Sequence, residues 1–186
     1  LIYQQDVQSN FVEIDVKEIL KIQPDVTGIN NKTYVTWSDN GDGTYTINDT
    51  HTIEPDYWYD YDNGKWANIK TEANGLEAYW VWIPRYAYVK PTSTTATQIE
   101  VKFIGTDVTS SNVEEKVGTG YIVHPAFTVD TKDGTGKEEL KGIWVAKYEA
   151  SSNTPNPDSN YGGGNDLTLQ VQVKHGVQSW RAIQTT

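Results

Sequence analysis

Apolar and polar positions alternate with a period of two through much of the chain, which is the pattern of strands rather than helices. Val12, Ile14 and Val16 alternate with Glu13, Asp15 and Lys17; Lys17–Ile22 also fits a helical turn, and Pro24 ends whichever element forms. Tyr34–Trp37 and Thr44–Ile47 flank the turn-rich Ser38–Gly43 and predict a β-hairpin. Tyr57–Asp62 and Lys65–Ala67 flank Asn63-Gly64, a two-residue turn signal, and predict a second hairpin. Ala78–Ile83 is apolar at every position, as suits a strand covered on both faces, and Pro84 marks an edge, a bulge or its end.

Further along, Ile99, Val101 and Phe103 share one face against Glu100 and Lys102, a half-exposed strand. A polar loop, Gly105–Gly120, leads to a strand at Tyr121–Val123. Thr131–Glu139 reads as a surface loop and Gly142–Tyr148 as a strand. Ser151–Asp166, with three consecutive glycines, reads as an exposed loop or linker. Leu167, Leu169, Val171 and Val173 alternate with polar residues to give a final strand.

The resulting expectation is a mainly β fold of antiparallel hairpins, with α+β as the alternative. Residues 1–50 form a β-rich N-terminal extension or arm, and residues 51–186 an aromatic-rich β domain. Composition agrees: 12 Tyr, 7 Trp and 15 Gly without Cys or Met make a strand-and-turn vocabulary.

Charge and missing residue types narrow the function. A formal charge of -10 argues against nucleic acid and against an anionic membrane surface, because both need clustered Lys and Arg. The absence of cysteine excludes a disulfide scaffold, thiolate zinc sites and a cysteine nucleophile. No run of about 18 apolar residues is present, so membrane insertion is not expected. The first residues lack a signal-peptide pattern, and the missing initiator Met points to a processed chain or to part of a longer one.

Candidate chemistry is sparse. Asp39-Asn40-Gly41-Asp42-Gly43 resembles part of a calcium loop, but no glutamate closes it at the twelfth position, and a simple turn is the better reading. Asp56, Asp60, Asp62 and Asn63 read as solvated hairpin groups. His51, His124 and His175 have no paired metal-ligand spacing, so no metal site is expected. Neither a Gly-x-Ser-x-Gly elbow nor a phosphate loop occurs, so no catalytic residue, cofactor or enzymatic activity is expected.

The aromatic group around residues 57–66 is the exception. Trp58, Tyr59, Tyr61 and Trp66, with Tyr57 beside them, are the candidate ligand-binding residues, because a flat ring offers an apolar face to a sugar. The competing reading makes them cross-strand pairs that hold the hairpin together, and it is the favoured one.

Four blocks carry a resemblance: Trp58–Asn68, Trp80–Tyr88, Tyr121–Phe127 and Gly142–Glu149. As a set they resemble uncharacterised phage tail-fibre-like and surface proteins of Gram-positive bacteria. In that group the Gly142-Ile143-Trp144-Val145-Ala146-Lys147-Tyr148-Glu149 type of strand opens a domain similar to the C-type-lectin-like fold of formylglycine-generating enzymes and phage receptor-binding proteins. The resemblance implies a partial C-type-lectin-like C-terminal part, since the expected Trp- and Gly-rich second half does not follow Thr186. It does not imply the enzymatic activity, because the cysteines are missing.

The functional expectation is therefore a non-enzymatic extracellular structural and binding component of phage tail or fibre type, with host recognition. A bacterial surface or pilus-like filament subunit and a secreted carbohydrate-binding module are the alternatives. The expected partners are further copies of the chain, as a homo-oligomer or filament, and a cell-surface glycan. The expected location is extracellular, on a virion or a bacterial cell surface.

Overall fold

The computed structural model describes residues 23–90, 99–153 and 168–180, together with the backbone of residues 3–5 and 10–12. The fold is mainly β, as expected. In chain order the strands are β1 (Tyr3–Gln5), β2 (Asn10–Val12), β3 (Lys32–Asp39), β4 (Tyr45–His51), β5 (Asn68–Ala73), β6 (Leu76–Pro84) and β7 (Tyr86–Val89). They continue as β8 (Val101–Phe103), β9 (Tyr121–Val123), β10 (Thr128–Asp130), β11 (Lys137–Glu139), β12 (Gly142–Ala146), β13 (Ser151–Ser152) and β14 (Val171–Gln172). One short helix, α1 (Val113–Lys116), precedes β9. The helical turn weighed for Lys17–Ile22 and the triple-glycine part of the expected linker lie outside the described residues.

Two compact units divide the chain, one of residues 1–25 and 84–143, the other of residues 26–83 and 144–186. β4 runs across residue 50, and β3 and β4 belong to the same sheet as β5 and β6.

The second unit contains a five-stranded sheet in the order β12-β6-β5-β3-β4. The β3–β4 hairpin forms as predicted, with Trp37 opposite Ile47 and Asp39 opposite Tyr45. Its loop is held by its own carboxylates: Asp39 accepts the Gly41 N–H at 2.8 Å, and Asp42 accepts the Thr44 N–H at 2.9 Å and hydroxyl at 2.6 Å. Those Thr44 bonds hold the Asp42 carboxyl below its ordinary pKa. β5 and β6 join through Asn74-Gly75, both with positive φ (54° and 75°), between the paired residues Ala73 and Leu76. That is the geometry of a two-residue hairpin turn.

The second predicted hairpin takes another form. Only Asp60 and Lys65 bridge, and Tyr61–Asn63 make a 3₁₀ turn closed by Gly64 at φ 71°. The Asp60 carboxylate accepts from both the Asn63 N–H and its side-chain amide (3.3 and 2.7 Å), drawing Asn63 into the turn and leaving Gly64 alone in the left-handed region. Alternation from Tyr57 to Tyr61 is thus not strand alternation.

In the first unit β7 lies between β8 and β9. Ala87, Tyr121 and Val123 pack on Ile104, Val108 and Val113, so the stretch read as a polar loop is pinned by two buried valines and contains α1. The expected surface loop Thr131–Glu139 also ends in structure, because Lys137–Glu139 pairs with Thr128–Asp130. Arg85 is wholly buried here, and its guanidinium donates to the carbonyls of Phe127 (2.9 Å) and Val108 (2.8 Å) and to Glu139.

Candidate functional site

The aromatic residues singled out in the sequence lie together in the second unit, on the sheet face that carries Tyr34, Ile69 and Trp82. Trp58 is only 2% exposed, and its indole N–H donates to the Asn68 carbonyl at 2.7 Å. Its ring meets Tyr34 edge-on at 4.6 Å and lies nearly parallel to Trp144 at 6.3 Å. Tyr59 and Tyr61 are half-buried, with tilted rings 5.4 Å apart, and Tyr61 meets Trp66 edge-on at 5.2 Å. Burial raises the phenol pKa of both tyrosines. These rings are an interlocked stack with differing planes, and Trp58 offers no face to a ligand. Of the four, Trp66 is the most open, at 38% exposure.

The same face carries a cleft of about 240 Å³ lined by Ile29, Ile69, Thr71, Trp80 and Trp144. Its composition follows from register: Ile69 faces Trp80 and Thr71 faces Ala78, so residues of two adjacent strands share one side. The Trp80 indole N–H donates to the Thr71 hydroxyl at 3.0 Å, which leaves carbon as the main lining. In the sequence Trp80 and Trp144 stand only as strand residues. Their common wall comes from the pairing of β6 with β12, and β5, which carries no sign of itself in the apolar pattern, adds Ile69 and Thr71 to it.

The opposite face is charged and internally neutralised. The Tyr79 hydroxyl donates to Asp49 at 2.6 Å, Lys70 lies 3.0 Å from Asp49 and 3.7 Å from Glu77, and Lys174 lies 3.3 Å from Glu77. The Tyr79 hydrogen bond, aided by Lys70, holds the Asp49 carboxyl below its ordinary pKa against the opposing effect of burial. Lys147 sits over the Trp37 ring at 4.6 Å and bonds the Asn68 side chain at 2.7 Å; burial lowers its pKa.

A depressed folded-state pKa contributes stability that is complete above the unfolded value, about 3.9 for Asp, and is lost as pH falls through the folded value. Denaturation of wild type and Asp49→Asn across pH 2 to 7 is therefore expected to show a stability gap that narrows below about pH 4. A gap independent of pH would assign Asp49 no linkage.

The histidines remain apart in role. His51 lies 3.4 Å from the Thr36 hydroxyl, His124 accepts the Ala126 N–H, and His175 packs on Tyr79 and Tyr148. Among the described residues no group of three or more His, Asp or Glu is arranged to hold a metal. Among the described residues no helix is long and apolar enough to cross a membrane.

No family model, curated protein or solved structure matches this chain.

Proposed function

We propose that the protein is a non-enzymatic structural and binding component of an extracellular assembly, of the phage tail or fibre type, and that its first partner is another copy of itself. The observation that carries this is the cleft between Trp80 and Trp144, whose lining supplies one hydroxyl, already bonded, and otherwise carbon. Such a cleft offers burial and shape without reactive groups, which suits an apolar side chain of a neighbouring subunit. Two further features support the reading. Candidate carboxylates at Asp39, Asp42, Asp49 and Asp60 are engaged in bonds within the fold, and the four sequence blocks resemble fibre and surface proteins. The partial C-type-lectin-like character of residues 51–186 belongs to the same proposal.

Light scattering over a range of concentrations tests it. Wild type is expected to form a stable oligomer, insensitive to a calcium chelator. Ile29→Lys, which places a charge on the cleft wall, is expected to shift that oligomer towards monomer by tenfold or more in dissociation constant, with the unfolding midpoint showing that the variant still folds. A wild type that is monomeric at every concentration removes the assembly reading.

A further inference from the structure

The chain contains three Asn-Gly pairs, Asn40-Gly41, Asn63-Gly64 and Asn74-Gly75, and all three stand exposed in turns. In such a pair the asparagine carboxamide and the next backbone nitrogen meet with little hindrance, because glycine has no Cβ to screen its nitrogen. The three pairs differ in what holds these two groups. The Asn40 amide donates to the Thr44 hydroxyl at 2.9 Å, its oxygen accepts the Thr46 hydroxyl at 2.9 Å, and the Gly41 N–H donates to Asp39 at 2.8 Å. The Asn63 amide donates to Asp60 at 2.7 Å and the Gly64 N–H to the Tyr61 carbonyl at 3.1 Å. Among the described residues, no hydrogen bond engages the Asn74 side chain or the Gly75 N–H. The β5–β6 ladder stops at Ala73 opposite Leu76, so swinging the Gly75 nitrogen towards the Asn74 side chain disturbs that last pair and little else.

We propose that Asn74 is a site of spontaneous deamidation, a self-modification that the fold permits at this Asn-Gly pair and restrains at the other two. The Gly75 nitrogen gives up its proton to solvent and bonds to the Asn74 Cγ. The bond from Cγ to the side-chain nitrogen breaks, and that nitrogen takes up a proton and leaves as ammonia. Water then opens the resulting five-membered succinimide at either carbonyl, giving aspartate or isoaspartate. The net change is one ammonia lost and one water gained, with nothing oxidised or reduced. Either product adds a negative charge to a hairpin end that already sets Glu72 opposite Glu77. Isoaspartate also carries the main chain through the side-chain carbon and lengthens it by one atom, which a two-residue turn with both residues at positive φ does not absorb. Modification therefore frays the β5–β6 end and leaves the two restrained turns as they are. None of this depends on self-association.

Peptide mapping with fragment-ion sequencing tests the proposal on the full chain, held folded in warm, mildly alkaline buffer. Asn74 is expected to convert to a mixture of aspartate and isoaspartate about tenfold faster or more than Asn40 and Asn63, since at each of those the bonds to both reacting groups must break before attack. In urea the three rates are expected to converge, because the restraints go with the fold. Asp60→Ala, with an unfolding midpoint that shows it still folds, removes the acceptor of the Asn63 amide. It is expected to raise the Asn63 rate several-fold and to leave the Asn74 rate unchanged. Equal rates at the three sites in the folded chain overturn the proposal. So does a lead for Asn74 that persists undiminished in urea, which would place its cause in the local sequence, and so does an Asn63 rate unmoved in Asp60→Ala.

Discussion

Replacing Arg85 with alanine is expected to destabilise the protein by about 3–5 kcal/mol, the cost of removing one member of a buried charged network. The guanidinium is fully enclosed and donates to the Phe127 and Val108 carbonyls, and it reaches Leu140 at 3.4 Å. These acceptors come from three separate stretches of chain outside the strands, and Glu139 adds the compensating charge while also accepting the Thr128 hydroxyl at 2.9 Å. Alanine takes the guanidinium donor from the buried Val108 carbonyl and one of two donors from the Phe127 carbonyl, which keeps the Leu140 N–H at 2.8 Å, and leaves a void where the side chain lay. Arg85→Lys restores a charge but not the fork geometry that serves several acceptors at once, so it should recover only part of the loss. Glu139→Gln keeps an acceptor and is partly exposed, so about 1–2 kcal/mol is expected. Urea unfolding gives the totals. Amide exchange should place the Arg85→Ala loss in residues 105–140, and a loss below about 1 kcal/mol would show that other contacts hold these loops.

Such a residue is nearly invisible in sequence. Arg85 follows a proline at the end of an apolar strand, and local patterning carries no sign that its partners lie 23 to 55 residues away. The legible parts are those governed by neighbours along the chain. The β3–β4 hairpin followed from alternation and a turn-rich loop, and β6 from an unbroken apolar run. Two Asn-Gly pairs show where this logic stops. Asn63-Gly64 carried the turn signal but was diverted by the Asp60 carboxylate, which favours a 3₁₀ turn. Asn74-Gly75 makes the true two-residue turn, yet its flanking strand Asn68–Ala73 contains Lys70, Thr71 and Glu72 and does not read as apolar alternation. Missing that strand hid the wall formed by Ile69, Thr71 and Trp80. For the site, sequence located the aromatic loop but not its sidedness, because the 3₁₀ turn and the left-handed Tyr57 break the period of two that assigns faces.

Sidedness is what the Trp58 variants should reveal. Trp58→Ala removes a ring packed against Tyr34, Tyr59 and Trp144 and is expected to lose about 3–5 kcal/mol, the range for large aromatic truncations in a core. Trp58→Phe keeps much of the packing but deletes the indole N–H, leaving the carbonyl of the buried Asn68 without that donor, at about 1–3 kcal/mol. Asn68 makes this loss spread: its side chain donates to the Trp66 carbonyl at 2.6 Å and accepts from Lys147 at 2.7 Å, so a shift in its backbone disturbs the base of the aromatic loop as well. The half-exposed Trp66 should cost about 1 kcal/mol or less when truncated. Chemical denaturation of the three variants therefore separates a supporting ring from a presented one. If Trp58→Phe were as stable as wild type while Trp66→Ala unfolded, the assignment of core and surface within this loop would be reversed. Trp58 would then return as a candidate contact for ligand.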